Sequence, residues 1–372
     1  MRIAIVTSSY PRDPDDSMNA GVFVRGFAES LAKHGHAPLV ITPQAVADPG
    51  RIEVRSFPWP GNEPSLSHLD PRQPLTIARL ATMLASGSWQ CIRLFRRRRI
   101  EHAIAMWAVP SGLLTLAARR VGGTPYSVWA LGSDIWRISD YPLGRSILHR
   151  VLTGAHRLYA DGLLLASDVQ RIAGRPCEFL ATSRALPPPG HSPELDASRT
   201  HFLCVSRFHP HKGADVLLDA LARIPVPQRA RITVHMFGAG PEERNLRDFI
   251  ERLDLGDTIR LGGPIGPSEL ASYLRVVRAL IIPSRIESIP LILSDAAQAG
   301  CPVIATRVGD VGTLLERFKV GVTVPPESPS ALAEAIAGFS PEDSFRPDDA
   351  AKLAEHLSIE RSVRQFLRDT VR

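Results

Sequence analysis

The fold is decided by residues 279–306, which read ALIIPSRIESIPLILSDAAQAGCPVIAT. The apolar run Ala279–Ile282 predicts a buried strand, and a polar loop after it leads into a predicted helix, Leu291–Ala299. Val303–Thr306 predicts the following strand. A strand, a helix and another strand in this order form a βαβ unit, whose two strands run parallel.

The same alternation continues on both sides of this stretch. From His201 to Gly338, predicted strands and helices follow each other closely, which is typical of a doubly wound α/β domain. The chain also begins with a βαβ pattern, in which the strand Ile3–Val6 precedes the helix Val22–His34 and the strand Pro38–Thr42. In open sheets of this kind ligands bind at the carboxyl ends of the strands, so we expect the chemistry in the strand-to-helix loops.

A proline-rich segment separates the two patterns. Residues 182–197 contain Pro187-Pro188-Pro189-Gly190 and predict a linker. We therefore expect one Rossmann-like, doubly wound domain over residues 1–190 and a second over residues 198–355, facing each other across a cleft. Residues 356–372 predict an amphipathic C-terminal helix, which we expect to pack back on the first domain.

Length and composition agree with two soluble domains, since 372 residues are about twice the usual size of one domain. The chain has no apolar run near the roughly 18 residues that span a bilayer. The apolar run after Met1 is too short for a signal peptide, so we expect a cytoplasmic protein. The scattered cysteines argue against zinc and against disulfides. The net charge of +6 favours anionic partners, but no nucleic-acid recognition motif accompanies it.

The loop Ser206–Gly213 lies between a predicted strand and a predicted helix and carries two cations, Arg207 and Lys212. A diphosphate leaving group gathers negative charge as its bond to a sugar breaks, and two cations and a helix dipole stabilise that charge. Lys212 is also one of only four lysines among 44 basic residues. The loop therefore predicts a diphosphate site, although a solvated basic loop has the same composition.

The stretch that decides the fold also carries two carboxylates, Glu287 in the loop and Asp295 in the next helix. Carboxylates accept hydrogen bonds from vicinal hydroxyls, so Glu287 predicts a contact with a sugar and Asp295 a contact with a ribose. The backbone amides of Ser288 and Ile289 lie near the helix start, where amides face phosphates. The alternative for both acids is an ordinary surface charge.

Two glycine-containing turns follow other predicted strands, Gly238-Ala239-Gly240-Pro241 and Gly262-Gly263-Pro264-Ile265. A Gly-x-Gly turn is a weak indication by itself. Gly238 and Gly240 either contact a nucleotide or make a tight turn into the next helix. Gly263 and Ile265 either contribute a backbone edge to a nucleotide base or form an ordinary turn.

In order and spacing, these motifs resemble the donor domain of the family 4 retaining glycosyltransferases, which have the two-domain GT-B architecture. The family's Gly/Ser-Arg…Lys-Gly loop corresponds to Ser206-Arg207…Lys212-Gly213, and its Gly-x-Gly-Pro turn to residues 238–241. Its Glu-x7-Glu motif corresponds to Glu287…Asp295, with aspartate in place of the second glutamate. The resemblance covers roughly residues 200–335. It implies catalytic roles for Arg207, Lys212 and Glu287, and donor contacts from Ser206, Ser288, Ile289, Pro290 and Asp295.

The first half resembles the acceptor domain of that family more weakly. Ser9-Tyr10-Pro11…Gly21 is similar to its first strand-to-helix loop, in which Gly21 lets the backbone approach the donor phosphate. Leu131-Gly132-Ser133-Asp134 is similar to its His-Gly-Ser-Asp motif, with Leu131 in place of the histidine beside the reacting carbon. Three interpretations stay open: Asp134 orients the sugar as a catalytic residue, the backbone and the leaving phosphate do most of the work, or activity is lost.

The resemblance implies a bacterial, retaining glycosyltransferase that needs neither a metal nor a cofactor. It would move a sugar from a nucleotide-sugar donor to a saccharide or lipid-linked acceptor in cell-surface polysaccharide or glycolipid assembly. Two alternatives remain open. One is a nucleotide-sugar-binding protein without transferase activity, which the loss of the histidine at Leu131 suggests, and the other is a nucleotide-sugar epimerase of the same architecture.

Residues 75–99 predict one or two helices, interrupted near Gly87, that end in the basic run Arg93-Leu94-Phe95-Arg96-Arg97-Arg98-Arg99. A basic cluster beside apolar residues binds anionic membrane surfaces, and it is equally typical of a solvated helix end. The basic helix therefore suggests peripheral contact with the inner membrane face, with no nucleic-acid partner.

Overall fold

The computed structural model describes residues 1–12, 21–43, 45–48, 50–60 and 74–370, with only the backbone described at 343 and 344. The chain divides into two compact units. The first consists of Met1–Thr182 and Ile359–Arg372, and the second of Ser183–Ser358. Among the described helices, none combines the length and the apolar character needed to cross a membrane.

The first unit contains one parallel sheet with helices packed on it. Its strands are β1 (Arg2–Thr7), β2 (Ala37–Thr42), β3 (Glu53–Ser56), β4 (His102–Met106), β5 (Tyr126–Ala130), β6 (Leu158–Ala160) and β7 (Glu178–Phe179). Its helices are α1 (Val22–Lys33), α2 (Pro74–Arg98), α3 (Ser111–Gly122), α4 (Ser133–Ser139), α5 (Gly144–Gly154), α6 (Leu163–Ala173) and α16 (Ile359–Thr370). In the described residues the strand order is β3-β2-β1-β4-β5-β6-β7.

The second unit repeats this plan. Its strands are β8 (Thr200–Val205), β9 (Ile232–Phe237), β10 (Ile259–Gly262), β11 (Ala279–Ile282), β12 (Val303–Thr306) and β13 (Gly321–Val324). Its helices are α7 (Ala214–Arg223), α8 (Val226–Arg229), α9 (Glu243–Arg252), α10 (Pro267–Val276), α11 (Leu291–Ala299), α12 (Val311–Phe318), α13 (Pro329–Ala337), α14 (Pro341–Ser344) and α15 (Pro347–His356). The strand order is β10-β9-β8-β11-β12-β13.

Both sheets are parallel throughout their described pairings, and their central strands are buried. Strands covered on both faces carry near-continuous apolar runs, which explains why β1, β4 and β11 could be found as unbroken hydrophobic segments. The prediction of two doubly wound, Rossmann-like α/β domains is confirmed.

The helix α2 differs from its prediction, because it runs unbroken through Gly87. Gly87 is buried in the middle of α2, and a Cβ there would lie 2.8 Å from the Leu114 side chain and 3.0 Å from that of Phe57. The glycine therefore does not end the helix. It allows α2 to pack closely against α3 and the segment after β3.

The boundary of the second unit lies earlier than the expected residue 198. Residues 183–190 belong to the second unit, where the Leu186 amide donates to Gln298 Oε1 at 3.0 Å and Gln298 Nε2 donates to the Arg184 carbonyl at 2.9 Å. These contacts hold the start of the proline-rich segment on α11.

The C-terminal helix α16 belongs to the first unit. Phe366 is fully buried, with its ring centroid 5.6 Å from that of Phe27 and 6.1 Å from that of Tyr159. At the other end of the contact with α1, the Ser30 hydroxyl donates to Glu360 at 2.6 Å. One apolar face of the amphipathic helix is thereby removed from water.

The order of strands in each sheet fixes where a ligand is expected. It reverses between β1 and β4 in the first unit and between β8 and β11 in the second. At such a point the loops at the carboxyl ends diverge to opposite faces and leave a crevice. In the second unit these loops are 206–213 and 283–290, which carry the predicted cations and the predicted sugar-binding acid.

Candidate functional site

The structure brings Lys212 and Glu287 together, although 75 residues separate them. Lys212 Nζ donates to Glu287 Oε1, and the two side chains are 20% and 13% exposed. The Ser284 hydroxyl donates to the same Glu287 oxygen at 3.1 Å. The predicted phosphate-binding cation and the predicted sugar-binding acid therefore share one partly open surface.

The loop that carries Lys212 is short and tightly held. A 3₁₀ turn spans Pro210–Lys212, and Gly213, at φ 66°, is the N-cap residue of α7. A Cβ at Gly213 would collide with the Pro283 carbonyl, so only glycine lets the two loops approach this closely. Arg207, at the start of the loop, is exposed and lies at the same carboxyl edge of the sheet.

The loop after β11 leads into the N-terminus of a helix at the same edge of the sheet. Ser288, Ile289 and Pro290 are buried, and α11 begins directly after Pro290. The first amides of a helix have no intrahelical acceptor and attract anions. The Ser288 hydroxyl is buried with no hydrogen-bond partner among the described residues, and the same holds for the Ser206 hydroxyl on the neighbouring loop.

Asp295 lies in α11 and is bound by an arginine of the same unit. Its carboxylate is fully buried, and Arg184 donates to it from Nη2 at 2.6 Å and from Nε at 3.2 Å to each oxygen. Burial raises the pKa of Asp295, and the Arg184 guanidinium opposes this shift. Asp295 is therefore one partner of a buried ion pair, and its predicted contact with ribose stays a prediction.

The glycines of the Gly-x-Gly-Pro turn support the Arg207 loop. A Cβ at Gly238 would collide with the Ser206 carbonyl, and one at Gly240 with the Phe208 carbonyl. The Phe208 amide donates to the Ala239 carbonyl at 2.9 Å. Both glycines therefore allow the turn to pack against the loop that carries Arg207, and their predicted contact with a nucleotide stays a prediction.

The second glycine turn is placed beside the first one. Gly263 is exposed, and its carbonyl accepts from the Gly238 amide at 3.0 Å. Ile265 is buried, with 3% of its surface exposed, so its side chain belongs to the interior of the unit. The predicted base contact of these two residues stays a prediction.

Gly21 and Asp134 belong to the first unit. Gly21 lies at the start of α1, and a Cβ there would collide with the Ser9 carbonyl, so glycine is required by the close approach of the two segments. Its predicted contact with the donor phosphate stays a prediction.

Asp134 is a buried anchor for two loops. Its carboxylate accepts from the Ala108 amide at 2.5 Å and from the Leu131 amide at 3.0 Å, and 4% of its surface is exposed. Burial raises the pKa of Asp134 to about 6, and the two amides act in the opposite direction. The interpretation in which Asp134 orients the sugar therefore lacks an open carboxylate, because this side chain holds the β4 and β5 loops together.

Two arginines at this site were not found from the sequence, Arg184 and Arg285. Their carboxylate partners lie 111 and 70 residues away along the chain, and no local pattern connects such distant positions. Among the described residues no three His, Cys, Asp or Glu side chains form a cluster that could hold a metal ion.

A parallel two-domain α/β chain with a paired cation and acid at the switch point of its second sheet has the architecture of a GT-B glycosyltransferase. Residues 192–355 match the model of the family described as "Glycosyl transferases group 1". This match covers most of the second unit, and it bears out the resemblance of that unit to the family 4 glycosyltransferases.

The curated relatives are glycosyltransferases of bacteria. The D-inositol 3-phosphate glycosyltransferase 2 of Catenulispora acidiphila is 28% identical over 276 residues, which cover 68% of this chain and 62% of the relative. The GDP-mannose-dependent alpha-(1-6)-phosphatidylinositol monomannoside mannosyltransferase of Mycobacterium tuberculosis is 27% identical over 69% of this chain and 72% of the relative. The chain thus matches less than two thirds of the first relative's length.

Solved structures share the fold over the whole chain. Sucrose-phosphate synthase from Thermosynechococcus elongatus has a TM-score of 0.77 at 19% identity, covering 99% of this chain and 98% of its own. Anabaena Alr3699/HepE in complex with UDP-glucose has a TM-score of 0.72 at 17% identity, with coverage of 99% and 98%. At such identities the likeness is one of fold, and the expected GT-B fold is confirmed.

Proposed function

We propose that this chain is a glycosyltransferase that transfers a sugar, with retention of configuration, from a nucleotide-sugar to an acceptor. The observation that carries the proposal is the Lys212–Glu287 pair at the switch point of the second sheet, with Arg207 on the same edge. A nucleotide-sugar presents a diphosphate next to a polyhydroxyl ring. A cation in contact with a carboxylate fits that junction. The cation binds the phosphate oxygens, and the carboxylate accepts hydrogen bonds from the sugar hydroxyls.

The proposed roles follow from position. Arg207 and Lys212 bind the diphosphate and stabilise the charge that builds on it as the glycosidic bond breaks. Glu287 accepts hydrogen bonds from the sugar, and the amides of Ser288 and Ile289 face a phosphate at the start of α11. Since protein cations neutralise the diphosphate, the proposal includes no metal and no cofactor.

The acceptor is proposed to be a saccharide or a lipid-linked saccharide. Relatives act on D-inositol 3-phosphate and on a phosphatidylinositol monomannoside, as their names state, and another is a putative colanic acid biosynthesis glycosyltransferase of Escherichia coli. These names include soluble, lipid-linked and polysaccharide acceptors. They therefore support a saccharide or lipid-linked acceptor as a class, and the individual acceptor is to be identified by experiment.

Peripheral contact with an anionic inner membrane face is proposed for the end of α2. Arg93, Arg96 and Arg97 are exposed there, and Trp89 is 66% exposed one turn before them. Aromatic and basic side chains together favour a charged bilayer surface. In this arrangement the cytoplasmic protein would meet lipid-linked acceptors at the membrane surface.

A donor screen followed by a product assay tests the proposed function. UDP-glucose, UDP-galactose, UDP-N-acetylglucosamine and GDP-mannose are compared by thermal shift, and the true donor raises the melting temperature by mass action. The donor found is then supplied in labelled form with a bacterial lipid and polysaccharide extract. Label in the acceptor with retained anomeric configuration supports transfer. Donor binding without any transfer indicates a non-catalytic binding protein, and release of an epimerised nucleotide-sugar indicates an epimerase.

A further inference from the structure

Arg285, two residues before Glu287, uses all five N–H groups of its guanidinium. Nη1 donates to Asp215 Oδ1 at 2.7 Å and to the Pro210 carbonyl at 2.7 Å. Nη2 donates to Asp215 Oδ2 at 2.8 Å and to Glu327 Oε2 at 3.2 Å, and Nε donates to the other oxygen of Glu327. A guanidinium has five such donors in a fixed planar fork, so this arginine has no unused donor.

These bonds join the Arg285 loop to three neighbouring segments at the carboxyl edge of the second sheet. Pro210 lies in the Lys212 loop, Asp215 in the first turn of α7, and Glu327 between β13 and α13. The Arg285 backbone amide adds a bond to the His211 carbonyl at 2.8 Å. Arg285 therefore binds the segment before, and the segment after, Lys212.

The charges of this cluster explain why Arg285 is not itself a phosphate ligand. Asp215 and Glu327 offset its charge and add one negative charge in excess. Burial raises the pKa of Asp215, but the bonds to Arg285 outweigh burial and hold that pKa below its usual value. Asp215 is therefore ionised at neutral pH, and the guanidinium stays bound to it.

We propose that Arg285 is a positioning residue for the donor site, which fixes Lys212 at contact distance from Glu287. The proposal rests on the proposed function of these two residues. Arg285 acts through the Pro210–Lys212 turn, since its side chain binds one end of that turn and its backbone binds the middle. Lysine cannot replace it, because an ammonium is a point charge with three donors and cannot bind two carboxylates and a carbonyl in one plane.

The matched control is Arg199, at the opposite edge of the same sheet. Its Nη2 donates to the Ile232 carbonyl at 2.6 Å and to the Asp257 carbonyl at 2.8 Å, so it joins the start of β9 to the segment before β10. Arg199→Lys also removes guanidinium bonds to backbone carbonyls, but it lies at the amino ends of the strands. A general loss of stability therefore affects both variants, and a loss of positioning affects only Arg285→Lys.

The test measures binding of UDP and of GDP by calorimetry to wild type, Arg285→Lys, Arg199→Lys, Lys212→Ala and the double variant Arg285→Lys/Lys212→Ala. We expect Arg285→Lys to weaken binding about tenfold and Arg199→Lys less than about twofold. The double variant should bind about as weakly as Lys212→Ala alone, because Arg285 acts through Lys212.

Equal binding by Arg285→Lys and wild type, or losses that multiply in the double variant, would overturn the positioning role and leave the donor site intact. If wild type binds neither nucleotide, the proposed function fails, and the positioning role fails with it. If Arg285→Lys does not fold, Glu327→Gln is used in its place. Glu327 is exposed, and its carboxylate accepts from Nε and Nη2 of Arg285. That variant should weaken binding about threefold, and unchanged binding would equally overturn the proposal.

Discussion

The carboxyl edges of the two sheets are built on the same topology but carry different chemistry. In the second unit, Lys212, Glu287 and Arg285 gather at the switch point, and part of this charge is open to solvent. In the first unit, the acid considered at the carboxyl edge is Asp134, which follows β5 and is buried and bound to backbone amides. The comparison supports the proposal of a charged ligand at the second edge, whereas Asp134 at the first edge holds two loops together.

The largest effect should come from Asp295→Ala, which tests whether this acid is structural. Removing one partner of a buried ion pair leaves an uncompensated charge, here Arg184, and should cost the second unit about 3–5 kcal/mol. All five tryptophans lie in the first unit, so tryptophan fluorescence follows that unit while circular dichroism follows both. We expect the denaturant midpoint to fall by circular dichroism much more than by fluorescence. Unchanged unfolding with weaker nucleotide binding would restore the ribose role of Asp295.

A somewhat smaller effect on the free energy of unfolding is expected when the pH is lowered, and it arises in the first unit. Burial, together with the nearby His156, lowers the pKa of His102 to about 4 from its ordinary 6.5. Between these values the unfolded chain binds a proton that the folded chain excludes, so stability is lost as pH falls from about 6.5 to about 4. The loss should total about 3 kcal/mol.

The control for this pH effect is His102→Asn, which removes the titrating group and keeps a partner for the Ser127 hydroxyl. The difference in the free energy of unfolding between the variant and wild type should shift in favour of the variant by about 3 kcal/mol between pH 7 and pH 4. A difference that is independent of pH would show that His102 does not resist protonation.

The third prediction compares the enzyme kinetics of variants at the carboxyl edges of the two sheets. Arg207→Ala and Lys212→Ala should each lose more than about tenfold in kcat/KM while the fold survives, because they remove charge contacts made in the transition state. Asp134→Ala leaves the Ala108 and Leu131 amides unpaired and should lower the fluorescence-detected stability of the first unit as well. Wild-type kinetics in both cation variants would refute the phosphate assignment, and a rate loss in Asp134→Ala without a stability loss would favour a direct catalytic role.

The smallest effect concerns the membrane. The double variant Arg96→Glu/Arg97→Glu should reduce binding to vesicles with 30% anionic lipid, since each basic residue near such a surface contributes about 1 kcal/mol. The effect should vanish on neutral vesicles. A matched charge reversal at Arg244 and Arg247 on α9 should leave vesicle binding unchanged. If both double variants lose vesicle binding equally, the loss is due to net charge and not to the end of α2.

Much of the second unit could be predicted from the sequence because its elements are short, apolar and separated by loops with recognisable chemistry. The predicted strands at 279–282 and 303–306 and the predicted helix at 291–299 agree with the structure at both ends. The loop carrying Lys212 was recognisable because cations at fixed spacing follow a strand.

The features that could not be predicted from the sequence depend on contacts between residues far apart in the chain. The Arg184–Asp295 pair and the Arg285 cluster join positions that no periodicity relates, so the sequence predicted neither ion pair. Gly87 was taken as a break in α2, because its role depends on Leu114 and Phe57 from other elements. In the first unit, the burial of Asp134 depends on the β4 loop, which the motif at 131–134 does not contain.

The most direct measurement compares hydrogen–deuterium exchange of the protein with and without saturating donor nucleotide-sugar. We predict that the strongest protection falls on segments 206–213 and 283–290 of the second unit, whose amides lie at the switch point. Arg285→Lys should reduce that protection at equal occupancy. Binding of the donor with no protection in these two segments would contradict a donor site at the carboxyl edge of the second sheet.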